Sequence, residues 1–344
     1  MKTHLVTGGS GFFGSILVQI IIDSGDNVKV IDLIQPTRPL KGVEYIIGNI
    51  LDTQTLKSAL IGVDIVHHAA ASVPLAKSRS LFFKNNTLAT ENICKLIVQS
   101  NVKHVNLISS SAVYGKVEKH GLPITENTTT KPFDDYGRSK LESEKIALEL
   151  FEKNTNITFT ILRPRTILGP GRLGIMEILF NWVSHRSTIF MIGSGDNLFQ
   201  LLHASDLAKI CYQISDKKIG GIFNVGTDHF GSMNQLLENL CIAVGSKAKI
   251  LHVPISLSIP ILYLIEKMNL IPFGSWHYQT IYRSYYFETS KLQSALNYKF
   301  EYSNDRMVLE TYRFYLENLK SVSTEAGSTH SRPVKRGILR YFMK

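Results

Sequence analysis

Residues 7–14 read TGGSGFFG and follow a short apolar segment, residues 5–7. Gly8, Gly11 and Gly14 carry no Cβ, so the backbone can turn tightly here and approach a phosphate group closely. A helical pattern begins at the end of this loop, and the free N–H groups of its first turn would face the phosphate charge. A strand, a glycine loop and a helix in this order predict a dinucleotide-binding unit.

Asp32 ends the next predicted strand, 18 residues after Gly14. A carboxylate at this place can accept hydrogen bonds from both hydroxyl groups of an adenosine ribose, and it repels a 2′-phosphate. We therefore expect NAD as the cofactor. Arg38 leaves NADP open as the alternative, because arginine is the residue type that accommodates a 2′-phosphate.

Short β-branched segments alternate with helical patterns over the first half of the chain. The predicted strands are residues 5–7, 28–32, 45–47, 65–68, 105–109 and 159–162, and the predicted helices are residues 13–24, 86–100 and 136–153. This alternation predicts an α/β fold with a Rossmann-type, doubly wound parallel sheet. The loops after the strands then meet at one edge of the sheet, which is where ligands bind.

The pattern loosens after about residue 168, where helical segments such as 176–184 and 232–244 mix with short strands and Pro/Gly breaks. We expect three parts: an NAD-binding Rossmann domain over residues 1–168, to which later segments contribute, a smaller interleaved substrate-binding lobe over 169–320, and a flexible basic tail over 321–344. A substrate crevice is expected between the two lobes.

The composition excludes several classes of protein. Of the 344 residues, 44% are hydrophobic and 19% are charged, which is globular and rules out disordered, collagen-like and coiled-coil chains. The formal net charge is +10, but residues 328–344 hold five basic residues and no acidic one, so half of the excess lies in the tail. A modestly basic body suits an anionic small molecule as well as nucleic acid, and we expect the small molecule.

The cysteines and the apolar segments predict the cellular compartment of the protein. Cys94, Cys211 and Cys241 are scattered without metal-like spacing, which predicts buried thiols in a reducing compartment and no metal site. There is no signal-peptide pattern, and the longest apolar stretch, residues 250–265, is interrupted by His252, Pro254 and Pro260, short of the roughly 18 apolar residues that a membrane span needs. We expect a cytoplasmic protein, with membrane contact by residues 336–344 as an alternative to disorder.

A second cluster lies further along. Residues 109–115, SSSAVYG, end the fifth predicted strand, and Tyr136 and Lys140 stand four residues apart at the start of the next helix, on one helical face. A neighbouring ammonium is expected to lower the pKa of the phenol from its usual value of about 10. The phenol can then exchange a proton with a substrate hydroxyl while a hydride moves to or from nicotinamide, and a serine can orient the same oxygen.

With these motifs the chain resembles the extended short-chain dehydrogenase/reductases of the NAD-dependent epimerase/dehydratase family, over residues 1 to about 315. The matching motifs are G-x-x-G-x-x-G at Gly8, Gly11 and Gly14, V-x-H-x-A-A from Val66, N-x-x-x-T at Asn86 and Thr90, the serine Ser110, Tyr136 with Lys140, and R-P…G-P-G at Arg163, Pro164 and 169–171. The resemblance implies the catalytic residues Ser110, Tyr136 and Lys140. It implies that the cofactor-binding residues are Gly8, Gly11, Phe12, Phe13, Gly14, Asp32, Asn49, Ile50, Ala69, Ala70, Ala71, Asn86, Tyr136, Lys140 and Arg163. A homodimer is expected by the same analogy.

Departures from the family pattern narrow the range of expected reactions and substrates. Ser111 and Ala112 stand where dehydratases of the family carry an Asp-Glu pair, so elimination chemistry is not expected. Phe199 stands where nucleotide-sugar members place an arginine on the diphosphate, although Arg172 or Arg283 could compensate. The predicted substrate-binding residues are Ser111, Arg165, Thr166, Arg172, Phe199 and Arg283. Asp206 is expected to be a helix N-cap.

Three functional hypotheses follow. The first is an NAD-dependent epimerase or oxidoreductase that acts on a hydroxyl of a nucleotide-activated sugar through Ser110, Tyr136 and Lys140. The second is a dehydrogenase or reductase of a lipophilic alcohol or ketone, similar to 3β-hydroxysteroid dehydrogenases, which Phe199, Gln200 and the apolar residues 253–273 favour unless the last segment is only a packed helix. The third is a non-catalytic protein that keeps the dinucleotide-binding fold.

Overall fold

The computed structural model describes residues 1–72, 79–174, 176–268, 270 and 275–319. Seven parallel strands form its central sheet, in the order β11-β6-β5-β4-β1-β2-β3. The strands are β1 Thr3–Thr7, β2 Asn27–Asp32, β3 Val43–Ile47, β4 Ile65–His68, β5 His104–Ile108, β6 Thr158–Pro164 and β11 Gly221–Val225. The order 3-2-1-4-5-6 is that of the Rossmann fold, so the predicted fold class is confirmed.

Helices cover both faces of this sheet, because successive strand residues point to opposite sides. Val6 packs with α1 and α7 on one face, while the adjacent Leu5 packs with α2, α4 and α5 on the other. These helices are α1 Phe12–Asp23, α2 Thr53–Ala59, α4 Ala89–Val98, α5 Asp135–Phe151 and α7 Ala204–Asp216, with the short α3 Arg79–Phe82 before α4. Since α7 and β11 lie beyond residue 168, later segments complete the first lobe.

The second lobe has its own apolar core, in which α6, α8 and α12 pack around Phe180, Leu237 and Tyr312. Its helices are α6 Met176–Ser184, α8 Met233–Ala243, α9 Ile255–Lys267, α10 Ser275–Thr280 and α12 Asn304–Glu317, and α11 Ser290–Leu296 packs back on the first lobe. Its strands are two to four residues long and form three pairs. These pairs are β7 Thr166–Leu168 with β10 Leu201–His203, β8 Ile189–Ile192 with β13 Ile250–Val253, and β9 Leu198–Phe199 with β12 Gly231–Ser232.

Two sequence-based predictions about helices were inaccurate. The helix predicted from Asn86 begins as a π-helix over Phe83–Leu88, within which Asn86 is buried. The N-cap of α7 is His203, whose side chain accepts from the Ser205 N–H, so the prediction that Asp206 is the cap was wrong. Asp206 is instead fully buried and accepts from the Tyr298 hydroxyl at 2.7 Å and the Glu301 N–H at 3.2 Å.

In the described part of the chain, no helix has the length and apolar character that a membrane span requires. No group of three metal-ligating side chains occurs there either. The three cysteines are buried free thiols, and burial raises the pKa of Cys94 to about 12. The predicted tail, 321–344, lies outside the described residues.

Replacing Gly14 by alanine should destabilise the protein, although alanine favours an exposed helix by about 1 kcal/mol. The new Cβ would lie 2.1 Å from the Gly8 carbonyl oxygen and 2.7 Å from the Gly9 Cα, both backbone atoms. Overpacking of this kind costs about 1–3 kcal/mol, measurable by urea unfolding. The control Ser15→Ala should stay within about 0.5 kcal/mol of the natural protein. Equal stability of both variants would mean that the close approach of this loop is not obligatory.

Candidate active site

The glycine loop packs against the end of β4 and against its own helix. Gly8 has a φ of +73°, and a Cβ there would lie 2.9 Å from the Ala70 Cα. Its N–H donates to the Ile31 carbonyl at 2.9 Å, which anchors the loop to β2. The N-cap of α1, Gly11, makes no side-chain cap, so the first-turn N–H groups are available to an anion.

Asp32 lies at the end of β2 beside this loop. One of its carboxylate oxygens accepts from the Ser10 N–H at 3.0 Å, which fixes the carboxylate next to the glycines. The Ser10 hydroxyl is buried and has no hydrogen-bond partner among the residues that the structure describes. Buried polar atoms in native proteins rarely lack a hydrogen-bond partner. A glycine loop, a helix start, a carboxylate and an unpaired hydroxyl together fit a dinucleotide.

The alanines that follow β4, Ala69, Ala70 and Ala71, are half-buried at the same edge. Thr7 Oγ1 accepts from the Ala70 N–H at 3.1 Å and lies 2.8 Å from His68 Nδ1. His68 Nε2 lies 3.1 Å from Thr90 Oγ1, and burial lowers the pKa of His68 to about 3. A neutral imidazole therefore joins β1, β4 and α4 behind the alanines.

Asn86 connects the loop after β4 to α5. Its side-chain oxygen accepts from the Ser72 N–H at 2.7 Å, and its amide donates to the Ser72 carbonyl and to Ser139 Oγ, at 3.2 and 3.0 Å. The amide is thus engaged within the chain, and a direct cofactor contact by Asn86 stays a prediction. Its observed contacts position the loop against the helix that carries Tyr136 and Lys140.

Asn49 and Ile50 lie beyond β3. The Asn49 side-chain oxygen accepts from the Leu51 N–H at 2.9 Å, which organises the turn before α2. Asp52, rather than Asn49, caps that helix. Ile50 is half-buried against the core between β2 and α2. Asn49 is exposed, and an adenine contact by either residue stays a prediction.

Ser110 and Tyr136, which are 26 positions apart in sequence, lie close enough for the Ser110 hydroxyl to act on the pKa of the Tyr136 phenol. Ser110 begins the short 3₁₀-helix Ser111–Tyr114, and Tyr136 lies in the first turn of α5. The two segments can approach because of Gly137, where a Cβ would lie 2.6 Å from the Ala112 carbonyl oxygen. The predicted serine and tyrosine therefore meet.

The prediction that a neighbouring ammonium lowers the pKa of Tyr136 was wrong. Burial raises the pKa of Tyr136, because it penalises the phenolate, and the nearby Ser110 hydroxyl and the Arg172 charge only partly oppose this effect. Arg172 stands 5.8 Å from the centre of the Phe12 ring, between the glycine loop and Tyr136. The cation that acts on the phenol is thus an arginine of the G-P-G turn.

Lys140 is buried, and its ammonium donates to the Ile108 carbonyl at 2.7 Å, at the end of β5. Burial lowers the pKa of Lys140 to about 8, and the charge of Glu144 partly opposes the change. An amine with such a pKa can change its protonation state near neutral pH. Lys140 lies one helical turn after Tyr136, and its ammonium contacts the chain two residues before Ser110. This position fits the predicted catalytic set.

A buried ion pair that sequence patterns did not reveal lies beneath these residues. Arg163 Nη2 lies 2.6 Å from Glu144 Oε2, and Arg163 Nη1 donates to the Tyr114 hydroxyl at 2.8 Å. Glu144 also accepts from the Ser109 hydroxyl. All three nitrogens of the Arg163 guanidinium donate to Glu144 or Tyr114 inside the protein, so its observed role is structural and its cofactor contact stays a prediction.

The predicted substrate residues separate into two groups. Arg165 is buried, donates to Ser111 Oγ at 3.3 Å and lies over the Tyr285 ring at 4.4 Å, so Arg165, Ser111 and Arg172 all lie close to the Ser110–Tyr136 pair. The others are more peripheral: Thr166 is exposed on β7, Phe199 is half-buried on β9, and Arg283 is one-third exposed, 3.7 Å from Glu118.

Comparison with known proteins agrees with this geometry. The model of the NAD dependent epimerase/dehydratase family matches residues 4–226. The chain is 38% identical over 339 residues to the protein y4nG of Sinorhizobium fredii, which covers 98% of this chain and 85% of that protein. It is 26% identical over 282 residues to the mouse sterol-4-alpha-carboxylate 3-dehydrogenase, decarboxylating, covering 78% of this chain and 76% of that one.

A UDP-glucose 4-epimerase of Vibrio cholerae is 28% identical over 261 residues, covering 74% of this chain and 79% of that enzyme. The solved structure of the UDP-glucuronic acid 4-epimerase from Bacillus cereus in complex with NAD superposes with a TM-score of 0.75 at 22% identity. It covers 92% of this chain and 100% of that one. The chain therefore belongs to the NAD-dependent epimerase/dehydratase family and is an NAD-dependent enzyme with the fold of the extended short-chain dehydrogenase/reductases.

Proposed function

We propose that the protein is an NAD-dependent epimerase that acts on the C4 hydroxyl of a nucleotide-activated sugar. The nearness of Ser110 to Tyr136, beside the charge of Arg172, carries the proposal. A hydroxyl that can orient a substrate oxygen then lies beside a phenol that can exchange its proton. The similarity to the Vibrio cholerae UDP-glucose 4-epimerase supports the class of substrate.

The reaction needs a proton transfer and a hydride transfer. NAD, when bound, would supply the hydride chemistry of both half-reactions, and the glycine loop with Asp32 would hold it. Tyr136 takes the proton of the C4 hydroxyl during oxidation to the ketone and gives it back during reduction, so protons and hydride balance over the cycle. Ser110 orients the substrate oxygen, and Arg172 stabilises the transient phenolate of Tyr136.

The diphosphate of such a substrate needs a cation, because Phe199 stands where related enzymes carry an arginine. Arg283 suits this role, since its side chain is one-third exposed and its contacts, Glu118 at 3.7 Å and the Tyr282 hydroxyl at 3.4 Å, are long. Arg165 is less suitable, since it is buried and also donates to the Gln200 carbonyl at 3.2 Å. The proposal therefore assigns the diphosphate to Arg283.

Oxidation of a lipophilic alcohol is the second candidate, favoured by Phe199 and by the similarity to the mouse sterol dehydrogenase. Gln200 does not add to it. Its side chain is buried, donates to the Thr227 carbonyl at 2.8 Å and accepts from the Phe287 N–H at 2.8 Å, so it has a structural role. The homodimer and the cytoplasmic location stay predictions.

Cofactor retention distinguishes the two candidates. An epimerase regenerates its cofactor in each cycle, so the purified protein should release NAD or NADH at near-stoichiometric amounts on denaturation, as measured by mass spectrometry. A net dehydrogenase must exchange its cofactor in every turnover, so an empty protein that still binds added NAD would favour the lipophilic alcohol.

Replacing Tyr136 by phenylalanine should abolish most of the turnover, because the variant keeps the ring but has no oxygen to take the proton. A loss of about 10²–10⁴-fold in kcat is expected, with NAD binding retained. UDP-glucose and UDP-galactose interconversion followed by chromatography gives the readout, with Tyr263→Phe as the control, since Tyr263 is exposed on α9. Undiminished turnover in Tyr136→Phe would remove the phenol from the mechanism.

The pH profile should depend on Arg172. Because the Arg172 charge lowers the pKa of Tyr136 against the effect of burial, its removal in Arg172→Gln should raise that pKa further. The deprotonated phenol is the active form in the oxidation step. The rising limb of kcat against pH should therefore move to higher pH in Arg172→Gln and stay close to its natural position in Arg172→Lys. Identical profiles in all three proteins would contradict the assignment.

A further inference from the structure

Helix α9 has apolar side chains on both of its faces. The inner face consists of Ile259, Leu262 and Ile265. It is covered by the protein, because these side chains pack against Ile178 of α6 and Tyr278 of α10. Ser258, also on this side, is the one buried residue of the helix. The second lobe therefore needs only one face of α9.

The outer face of α9 is exposed and almost entirely apolar. It consists of Leu257, Ile261, Leu264 and Met268, which are 54, 46, 61 and 59% exposed. The spacing of four, three and four residues puts these side chains in one stripe along the helix. Isolated apolar residues are ordinary on a protein surface, whereas contiguous apolar patches are often interaction surfaces. We call this stripe the outer face.

The segment that leads into and forms α9 is basic. Residues 247–267 contain three exposed lysines, of which Lys267 belongs to the helix and Lys247 and Lys249 precede β13. The one acidic residue of this segment, Glu266, accepts from the Tyr278 hydroxyl and is thereby directed toward α10. An apolar stripe flanked by cations is the pattern of helices that lie in the surface of an anionic membrane.

The basic C-terminal segment continues from the same lobe. Tyr315, near the end of α12, packs on Phe180 of α6 with ring centres 5.8 Å apart. Trp182 of α6 packs against both the α12 core and the inner face of α9. The chain leaves the described structure at residue 319 with 25 residues to follow, among them Arg332, Lys335, Arg336, Arg340 and Lys344. Basic residues close to an anionic bilayer are attracted to it.

We propose that α9 docks through its outer face on an anionic phospholipid bilayer. The helix lies along the surface, with Leu257, Ile261 and Leu264 in the boundary between headgroups and acyl chains. The exposed lysines contact the anionic headgroups. This docking is interfacial and involves no membrane span. It is independent of the proposed function, because it concerns a surface outside the catalytic residues.

A second copy of the chain is a less suitable occupant. The outer face is one side of a 13-residue helix, about 20 Å long and about 10 Å wide. It thus offers about 200 Å², against the roughly 800 Å² per partner that stable protein interfaces bury. Two copies would also bring like-charged lysines together. A bilayer has neither restriction, since a small apolar face is sufficient when cations assist it.

Contacts connect the start of α9 to the segment that carries Arg283. A Cβ on Gly193 would lie 3.3 Å from the Ile255 side chain and 3.6 Å from Tyr282 Cβ, so the start of α9 packs beside the segment that leads to Arg283. Three residues after Tyr282, Tyr285 donates to the Ser111 carbonyl at 2.7 Å, next to Ser110. A docked α9 therefore holds the substrate lobe near the bilayer.

The test uses the full-length protein and sedimentation with vesicles of phosphatidylcholine and phosphatidylglycerol in equal amounts. The variant is L257Q/I261Q/L264Q, and the matched control is I61Q/I242Q/L316Q, which changes three equally apolar, exposed side chains on other elements. All six side chains are exposed, so urea unfolding should show that both variants are folded. The natural protein and the control should bind, and the α9 variant should bind at least tenfold more weakly.

Two results would overturn the proposal. One is equal vesicle binding by the natural protein and the α9 variant, which would assign any membrane contact to the basic tail. The other is no vesicle binding by the natural protein together with a loss of dimer in the α9 variant, as seen by sedimentation velocity. That second result would identify another copy of the chain as the occupant of the outer face.

Discussion

The ion pair between Arg163 and Glu144 is the interaction on which the catalytic edge depends. Glu144 belongs to α5, the helix that carries Tyr136 and Lys140, and Arg163 belongs to β6. Glu144 also accepts from Ser109 at the end of β5, and Tyr114, which is bonded to Arg163, donates to Asn224 of β11 at 2.7 Å. Loss of either charge would leave the other buried and unpaired, which typically costs about 3–5 kcal/mol. The pair is therefore better understood as fixing the geometry of the site than as a source of stability.

A second constraint is the close approach of three loops at the carboxyl ends of β1, β4 and β5. Gly8 lies against Ala70, and Gly137 lies against the Ala112 carbonyl, in both cases at distances that a Cβ would not allow. Asn86 then ties the β4 loop to α5. These contacts bring the dinucleotide-binding loop and the Ser110–Tyr136 pair to the same edge of the sheet. The proposed reaction takes place at this edge, with the hydride exchanged at a substrate carbon and the proton at the oxygen bonded to it.

Burial acts in the same direction on both members of the Tyr-Lys pair, since it favours the neutral form of each. The pKa of Tyr136 is raised, and that of Lys140 is lowered to about 8. Arg172 supplies the positive charge that opposes this effect on the phenol. The G-P-G turn thus contributes to the electrostatics of the site through a residue that lies 36 positions away from the tyrosine in sequence.

The sequence by itself determined the doubly wound sheet, the glycine loop, Asp32 and the common helical face of Tyr136 and Lys140, because each depends on local backbone geometry or on spacing along one element. Ser110, which lies on another element, was predicted from the resemblance to the family. Only the tertiary structure decided the hydrogen-bond partners of Arg163, Asn86 and Asp206. These partners lie at least 19, 14 and 92 residues away in sequence, respectively. It also decided the sign of the Tyr136 pKa shift, because burial is a property of the assembled site. The apolar residues of α9 were visible in the sequence, but only the packed lobe decides which face it covers and which it leaves outside.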